Sequence, residues 1–167
     1  MYRNTANIVS LMRIPLGMAL LFFPALSTGF FIIYSLGAMT DVMDGLIARR
    51  TGTESDAGSR MDSLTDMFFM AMMLIALLPS LNMPVWLWIW FFAIVVIKIV
   101  NIICGYSMYR RFVPSHTVLN KMAGLLVFLF PFSLLWIDLI YSASFVFAFA
   151  TLAAAQEGHY IRTGILS

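Results

Sequence analysis

Charge is the scarcest thing in this chain. Only 11% of its 167 residues are Asp, Glu, Lys or Arg, against 62% hydrophobic residues, and the mean hydropathy is +0.93. Such a composition lies outside the soluble globular range and inside the membrane range. Cysteine is nearly missing as well: Cys104 stands alone, which excludes an intrachain disulfide. Ten Lys and Arg against eight Asp and Glu leave a net charge of +2. They are not interleaved with polar and aromatic residues as a nucleic-acid groove requires, so no nucleic-acid partner is expected. Internal repeats, low-complexity tracts and interdomain linkers are absent too, and residues 1–167 read as a single domain.

What the chain has instead is six apolar segments, at Ile8 to Leu26, Phe30 to Ala48, Met61 to Leu81, Val85 to Met108, Val118 to Trp136 and Leu139 to Gln156. Each approaches the ~20 residues that a tilted helix needs to span ~30 Å of hydrocarbon. The expected fold is therefore an all-α integral membrane protein, a bundle of six transmembrane helices. The connections at Ser27 to Gly29, at Pro79 to Pro84 and near Asp138 carry no Lys or Arg. Arg3, Arg49, Arg50, Arg60, Arg110, Arg111 and Arg162 fall at the alternate ends, with Lys121 just inside a helix. By the positive-inside rule those ends are cytoplasmic, as are both termini of this multi-pass chain in the cell membrane.

Arg3 and Arg13 ahead of Ile14 to Leu26 also resemble the start of a signal peptide. A cleaved first segment would leave five spans and termini on opposite sides. The motif at the start of that segment favours keeping it. Trp86 and Trp136 fit the outer interface, Pro131 is expected to kink the fifth helix, and Gly37, Gly105 and Gly124 to permit close helix approach.

Four of the eight acidic residues, Asp41, Asp44, Asp62 and Asp66, border these apolar segments. A charge at a helix centre costs about 2.5 to 3.5 kcal/mol on insertion scales, so carboxylates here call for something that neutralises them. Asp41 and Asp44 are three apart, Asp62 and Asp66 four apart, and each pair shares a helix face. A short turn makes the second and third helices antiparallel neighbours, so the two faces can meet. Oxygen-only ligands select hard ions such as Mg²⁺, Mn²⁺ or Ca²⁺, and two divalent ions would balance four carboxylates. Paired metals are also what clamps attacking and leaving oxygens in phosphoryl transfer. Gly45 and Gly58 remove side chains where a ligand would approach the backbone, and Arg49 can reach a phosphate. Taken singly, the glycines suit helix packing and the arginine suits a topology anchor.

The pattern Asp41-x2-Asp44-Gly45-x2-Ala48-Arg49-x8-Gly58-x3-Asp62-x3-Asp66 resembles the signature of the CDP-alcohol phosphatidyltransferases, with every fixed position and spacer filled. Asn7-x2-Ser10-x2-Arg13 is similar to that family's N-terminal Asn, Thr, Arg pattern, with Ser in place of Thr. The resemblance implies a homodimeric phospholipid-synthesis enzyme that moves a phosphatidyl group from CDP-diacylglycerol to a small polar alcohol and releases CMP. Carried over by position, Asp41, Asp44, Asp62 and Asp66 would hold two Mg²⁺ or Mn²⁺ ions, with Asp66 also the general base. Asn7, Gly45, Ala48, Arg49 and Gly58 would bind the CDP moiety. The active site would face the cytoplasm.

Lys98 lies well inside the fourth segment, with Asn101 one turn on. An intramembrane lysine marks a functional site, pairs with a carboxylate or snorkels to the interface. Arg110, Arg111, His116, Asn120 and Lys121 gather around the next connection. With Lys98, Arg110 and Lys121 as acceptor contacts, the acceptor expected first is glycerol 3-phosphate, then serine or inositol phosphate. A small carboxylate-lined cation transporter is the reading from a different class. It accounts for acids in membrane helices but not for the spacing of Gly45, Ala48, Arg49 and Gly58.

Overall fold

A computed structural model describes residues 10–51, 56–109 and 117–163, excluding the side chains at 41–51, 56, 57, 59, 60, 63 and 109. Among the described residues the regular structure is helical throughout: α1 (Arg13–Leu20), α2 (Thr28–Thr51), α3 (Asp56–Leu77), α4 (Val85–Tyr109), α5 (Val118–Ser133) and α6 (Leu139–Thr163). A 3-10 turn, Leu78–Ser80, follows α3. The chain divides into two compact units, Met1–Leu81 and Asn82–Ser167.

In the first unit α1 is shorter than the apolar segment that contains it. Pro24 offers no amide hydrogen and disfavours helical backbone at Phe23, so the chain turns from Leu21 onward. Leu26, at φ 60°, completes that turn before Ser27 accepts a hydrogen bond from the Phe30 amide at 3.2 Å. The short α1 packs on both α2 and α3.

Its register on α3 follows from three contacts: Ser10 reaches Asp62, Arg13 reaches Asp62 and Asp66, and Gly17 faces Phe68 and Met72. Residue numbers rise together on the two helices, so they run parallel. The antiparallel α2 and α3 contact each other less than each contacts α1. Tyr34 stacks on Phe69 with ring centroids 5.6 Å apart. A Cβ at Gly37 would lie 2.2 Å from Phe69 Cζ, so this close approach does require glycine.

The second unit is built on α6, which packs against α4 and α5. Trp90 donates its indole N–H to Thr151 Oγ1 at 2.9 Å and rests edge-on against Phe147, so it joins α4 to α6. Trp86 and Trp136 are exposed. Thr117 caps α5 by accepting from the Asn120 amide at 3.2 Å. Pro131 lies in the last turn of α5, which ends at Ser133. There the Ser133 hydroxyl donates to Phe130 O at 2.8 Å and lies 3.0 Å from Ser142 Oγ, which ties the end of α5 to the start of α6. A Cβ at Gly105 would meet only ordinary contact with Ile161, and Gly124 faces open space, so neither glycine is needed for close packing within its unit.

Among the described residues two helices are long and apolar enough to cross a membrane by length and composition: Val85–Met108, at mean hydropathy 2.5, and Leu139–Thr163, at 1.6. Shorter apolar stretches occupy Thr28–Thr40, Leu64–Ser80 and Val118–Ser133. Along α4 the side chains of Ile89, Phe92, Val96, Ile99, Ile103 and Tyr106 are exposed, a surface that suits hydrocarbon far better than water.

Candidate active site

The acidic stretch is divided between the two arms of the α2–α3 hairpin. Asp41, Asp44, Gly45, Ala48 and Arg49 lie on the last turns of α2, though their side chains are outside those described. Asp62 and Asp66 lie on the second and third turns of α3, after a half-buried Gly58 in its first turn. The Gly37–Phe69 contact sits about equally far from the connection on either arm. Both acid-bearing segments therefore lie between that contact and the connection, at one end of the hairpin.

Where side chains are described, the chemistry is well defined. Asp62 and Asp66, one turn apart, point the same way, and Arg13 from α1 meets both. Its Nη1 donates to Asp62 Oδ1 at 2.8 Å and also to Asp66 Oδ1. Ser10, three residues earlier and hence on the same face of the N-terminal segment, donates to Asp62 Oδ1 at 3.4 Å. Burial is uneven across this cluster: the Arg13 side chain is 1% exposed, those of Asp62 and Asp66 39% and 46%. Thr65, buried between the two acids in sequence, donates its hydroxyl to Asp62 O at 2.9 Å.

These two carboxylates suit a divalent cation. One oxygen from each already converges on a single cationic nitrogen, as oxygens gathered around an ion must, and both side chains retain access from outside. The donors are all oxygen, the set that hard ions take. Among the described residues no group of three or more His, Cys, Asp or Glu gathers as a metal site, the side chains of Asp41 and Asp44 being outside that set.

The model of the CDP-alcohol phosphatidyltransferase family matches residues 3–156, nearly the whole chain. The chain belongs to that family. It is thus a transferase of the class that acts on CDP-linked alcohols. No curated protein and no solved structure matches the chain.

The remaining site candidates of this phosphatidyltransferase fall in the second unit or outside the described residues. Asn7 and Arg110 lie outside. Lys121 is exposed in the first turn of α5. Lys98 is committed within its own unit: its ammonium donates to Glu157 Oε2 at 2.6 Å and to Asn120 Oδ1 at 2.8 Å, linking α4 to α6 and α5. Of the fates open to an intramembrane lysine, pairing with a carboxylate is the one observed. Nearby, buried Asn101 donates to Ala154 O at 2.8 Å.

In two of these relationships the partner has no signal in the sequence. Arg13 had a motif position but no partner, although its three-residue spacing from Ser10 places both on one face. Glu157 had no assigned role, and no local pattern links it to a lysine on another helix.

Proposed function

We propose that this protein transfers a phosphatidyl group from CDP-diacylglycerol to a small polar alcohol, with release of CMP, in phospholipid biosynthesis. Glycerol 3-phosphate is the first choice of acceptor, followed by serine and inositol phosphate. The observation that carries the proposal is the convergence of Asp62 and Asp66 on one cationic nitrogen, in a hairpin whose other arm bears Asp41 and Asp44.

In this reading Asp41, Asp44, Asp62 and Asp66 would hold two Mg²⁺ or Mn²⁺ ions, which would supply positive charge against that developing on the transferred phosphoryl group and on the CMP oxygen. Asp66 takes the proton of the acceptor hydroxyl as its oxygen bonds to phosphorus and the bond to CMP breaks. Arg49 binds the diphosphate as a planar, permanently charged fork. Asn7, Gly45, Ala48 and Gly58 shape the CDP pocket. Arg110, Lys121 and Lys98 serve the acceptor: the first two meet its phosphate, while Lys98, its charge matched by Glu157, braces α4 against α5 and α6.

The same proposal treats the six helices as spans of one bundle, one domain over residues 1–167, working as a homodimer in the cell membrane with termini and active site cytoplasmic. Two spans are supported by their length and composition, the single domain by a family match that extends across both units, and the orientation by the arginine distribution.

The deciding experiment incubates purified protein with Mn²⁺, CDP-diacylglycerol and a panel of alcohols, and identifies both CMP and the lipid product. CMP release with phosphatidylglycerophosphate is the expected result. Absence of CMP release with every acceptor rejects the enzyme reading, and metal-dependent ion flux in liposomes would then support a transporter.

A further inference from the structure

The way Arg13 is seated gives it a part in the site that its place in the sequence does not. Its side chain is 1% exposed, and one of its nitrogens bridges the Oδ1 atoms of Asp62 and Asp66. An arginine filling in for an absent cation would be expected to enter from the solvent side on a mobile stem. This one is buried, and it belongs to a helix fixed in register one turn further on, where a Cβ at Gly17 would sit 3.4 Å from Met72 and Phe68. The exposed members of the cluster are the carboxylates.

A cation arriving from outside therefore meets Asp62 and Asp66 with Arg13 behind them. Expelling the guanidinium would leave a buried charge separated from its partners, an unfavourable outcome in a low-dielectric setting. Each carboxylate has two oxygens and about four lone-pair sites, so one contact to Arg13 does not exhaust it. Groups that hydrogen-bond to metal-ligating side chains fix their orientation, and their loss typically lowers metal affinity 10–100-fold.

We propose that Arg13 is a positioning residue of the metal site: it remains bound to Asp62 and Asp66 when divalent ions are present and sets the two carboxylates one turn apart into a converged, ion-ready arrangement. It acts through Asp62 and Asp66, not by contact with substrate. This rests on the assignment of Asp62 and Asp66 as metal ligands.

The test is Mn²⁺ binding to the purified, substrate-free protein in detergent, read by electron paramagnetic resonance, with thermal melting recorded on each variant. Arg13→Met is expected to bind Mn²⁺ about 10-fold or more weakly, and Arg13→Lys, which keeps a cation able to bridge two carboxylates, to stay within about threefold of the wild type. Unchanged or tighter binding by Arg13→Met would overturn the proposal, since it would make Arg13 a competitor of the metal or a bystander. Should Arg13→Met fail to fold, a structure of the wild-type protein with Mn²⁺ decides: Arg13 still on Asp62 and Asp66 supports the proposal, Arg13 displaced from both rejects it. A wild-type protein that binds no Mn²⁺ at all would instead reject the metal reading on which this one stands.

Discussion

The Lys98 ammonium lies 2.6 Å from Glu157 Oε2, joining α4 to α6 in the interior of the second unit. The carboxylate is the more enclosed partner, 11% exposed against 36% for the lysine side chain. Removing the lysine strands the buried acid, whereas removing both charges leaves no buried charge unpaired and costs only the Lys98–Asn120 hydrogen bond. Lys98→Met is expected to destabilise the protein by about 1–3 kcal/mol, the cost of a buried group left without its partner. Lys98→Met combined with Glu157→Leu should recover most of that loss, because an apolar pair can replace a buried ion pair at little penalty. Thermal melts of the two single variants and the double variant in one detergent measure the coupling. Additive losses would show that the pair does not act as a unit.

Gly37 and Phe69 make a second prediction. An added Cβ would stand 2.2 Å from Phe69 Cζ and 2.5 Å from Cε2, with the ring itself 5% exposed and stacked on Tyr34. Gly37→Ala must push a buried ring, and overpacking of that kind costs typically ~1–3 kcal/mol. Gly37→Ala with Phe69→Leu removes the clashing edge and should melt higher than Gly37→Ala alone. Because Gly37 and Phe69 lie just beyond the acid-bearing ends of α2 and α3, the single variant should also lose transferase activity. A melt unchanged by Gly37→Ala would mean the helices separate there at little cost.

How far such features could be read in advance depended on whether they were local. The hairpin that bears Asp41, Asp44, Asp62 and Asp66 follows from spacings of three and four and one short connection. The pairing of Lys98 with Glu157 joins residues 59 apart in sequence and obeys no helical period. Arg13 is an intermediate case: its face is fixed by its spacing from Ser10, but its partners depend on α1 lying parallel to α3. Helix lengths were the least legible. An apolar run by itself gives no sign of where a helix stops: Pro24 follows the early end of α1, whereas α5 continues past Pro131 to Ser133.

The acids at the end of the hairpin predict a dependence on divalent ions. Chelation with EDTA should abolish CMP release, and added Mn²⁺ or Mg²⁺ should restore it. Asp62→Asn keeps shape but loses charge, so it should weaken Mn²⁺ binding and turnover together. Asp66→Asn should lower kcat at least about 100-fold, the low end of what general-base catalysis contributes. Full activity in Asp66→Asn would remove that residue as the base while leaving the metal reading intact.

The acceptor side yields the last prediction. Glu157 and Asn120 engage two of the three donors of Lys98, and the pair with Glu157 carries no net charge. An anionic acceptor is thus drawn more strongly by Lys121, which is exposed in the first turn of α5, than by Lys98. Lys121→Ala should raise KM for glycerol 3-phosphate about 10-fold, equivalent to ~1.4 kcal/mol of lost binding, with kcat little changed and the melting temperature close to wild type. Lys98→Met should behave the other way, lowering the melting temperature more than it raises KM. Steady-state kinetics at saturating CDP-diacylglycerol separate the two. A KM increase in Lys98→Met with none in Lys121→Ala would exchange their roles and make Lys98, despite its partner, the residue that receives the acceptor.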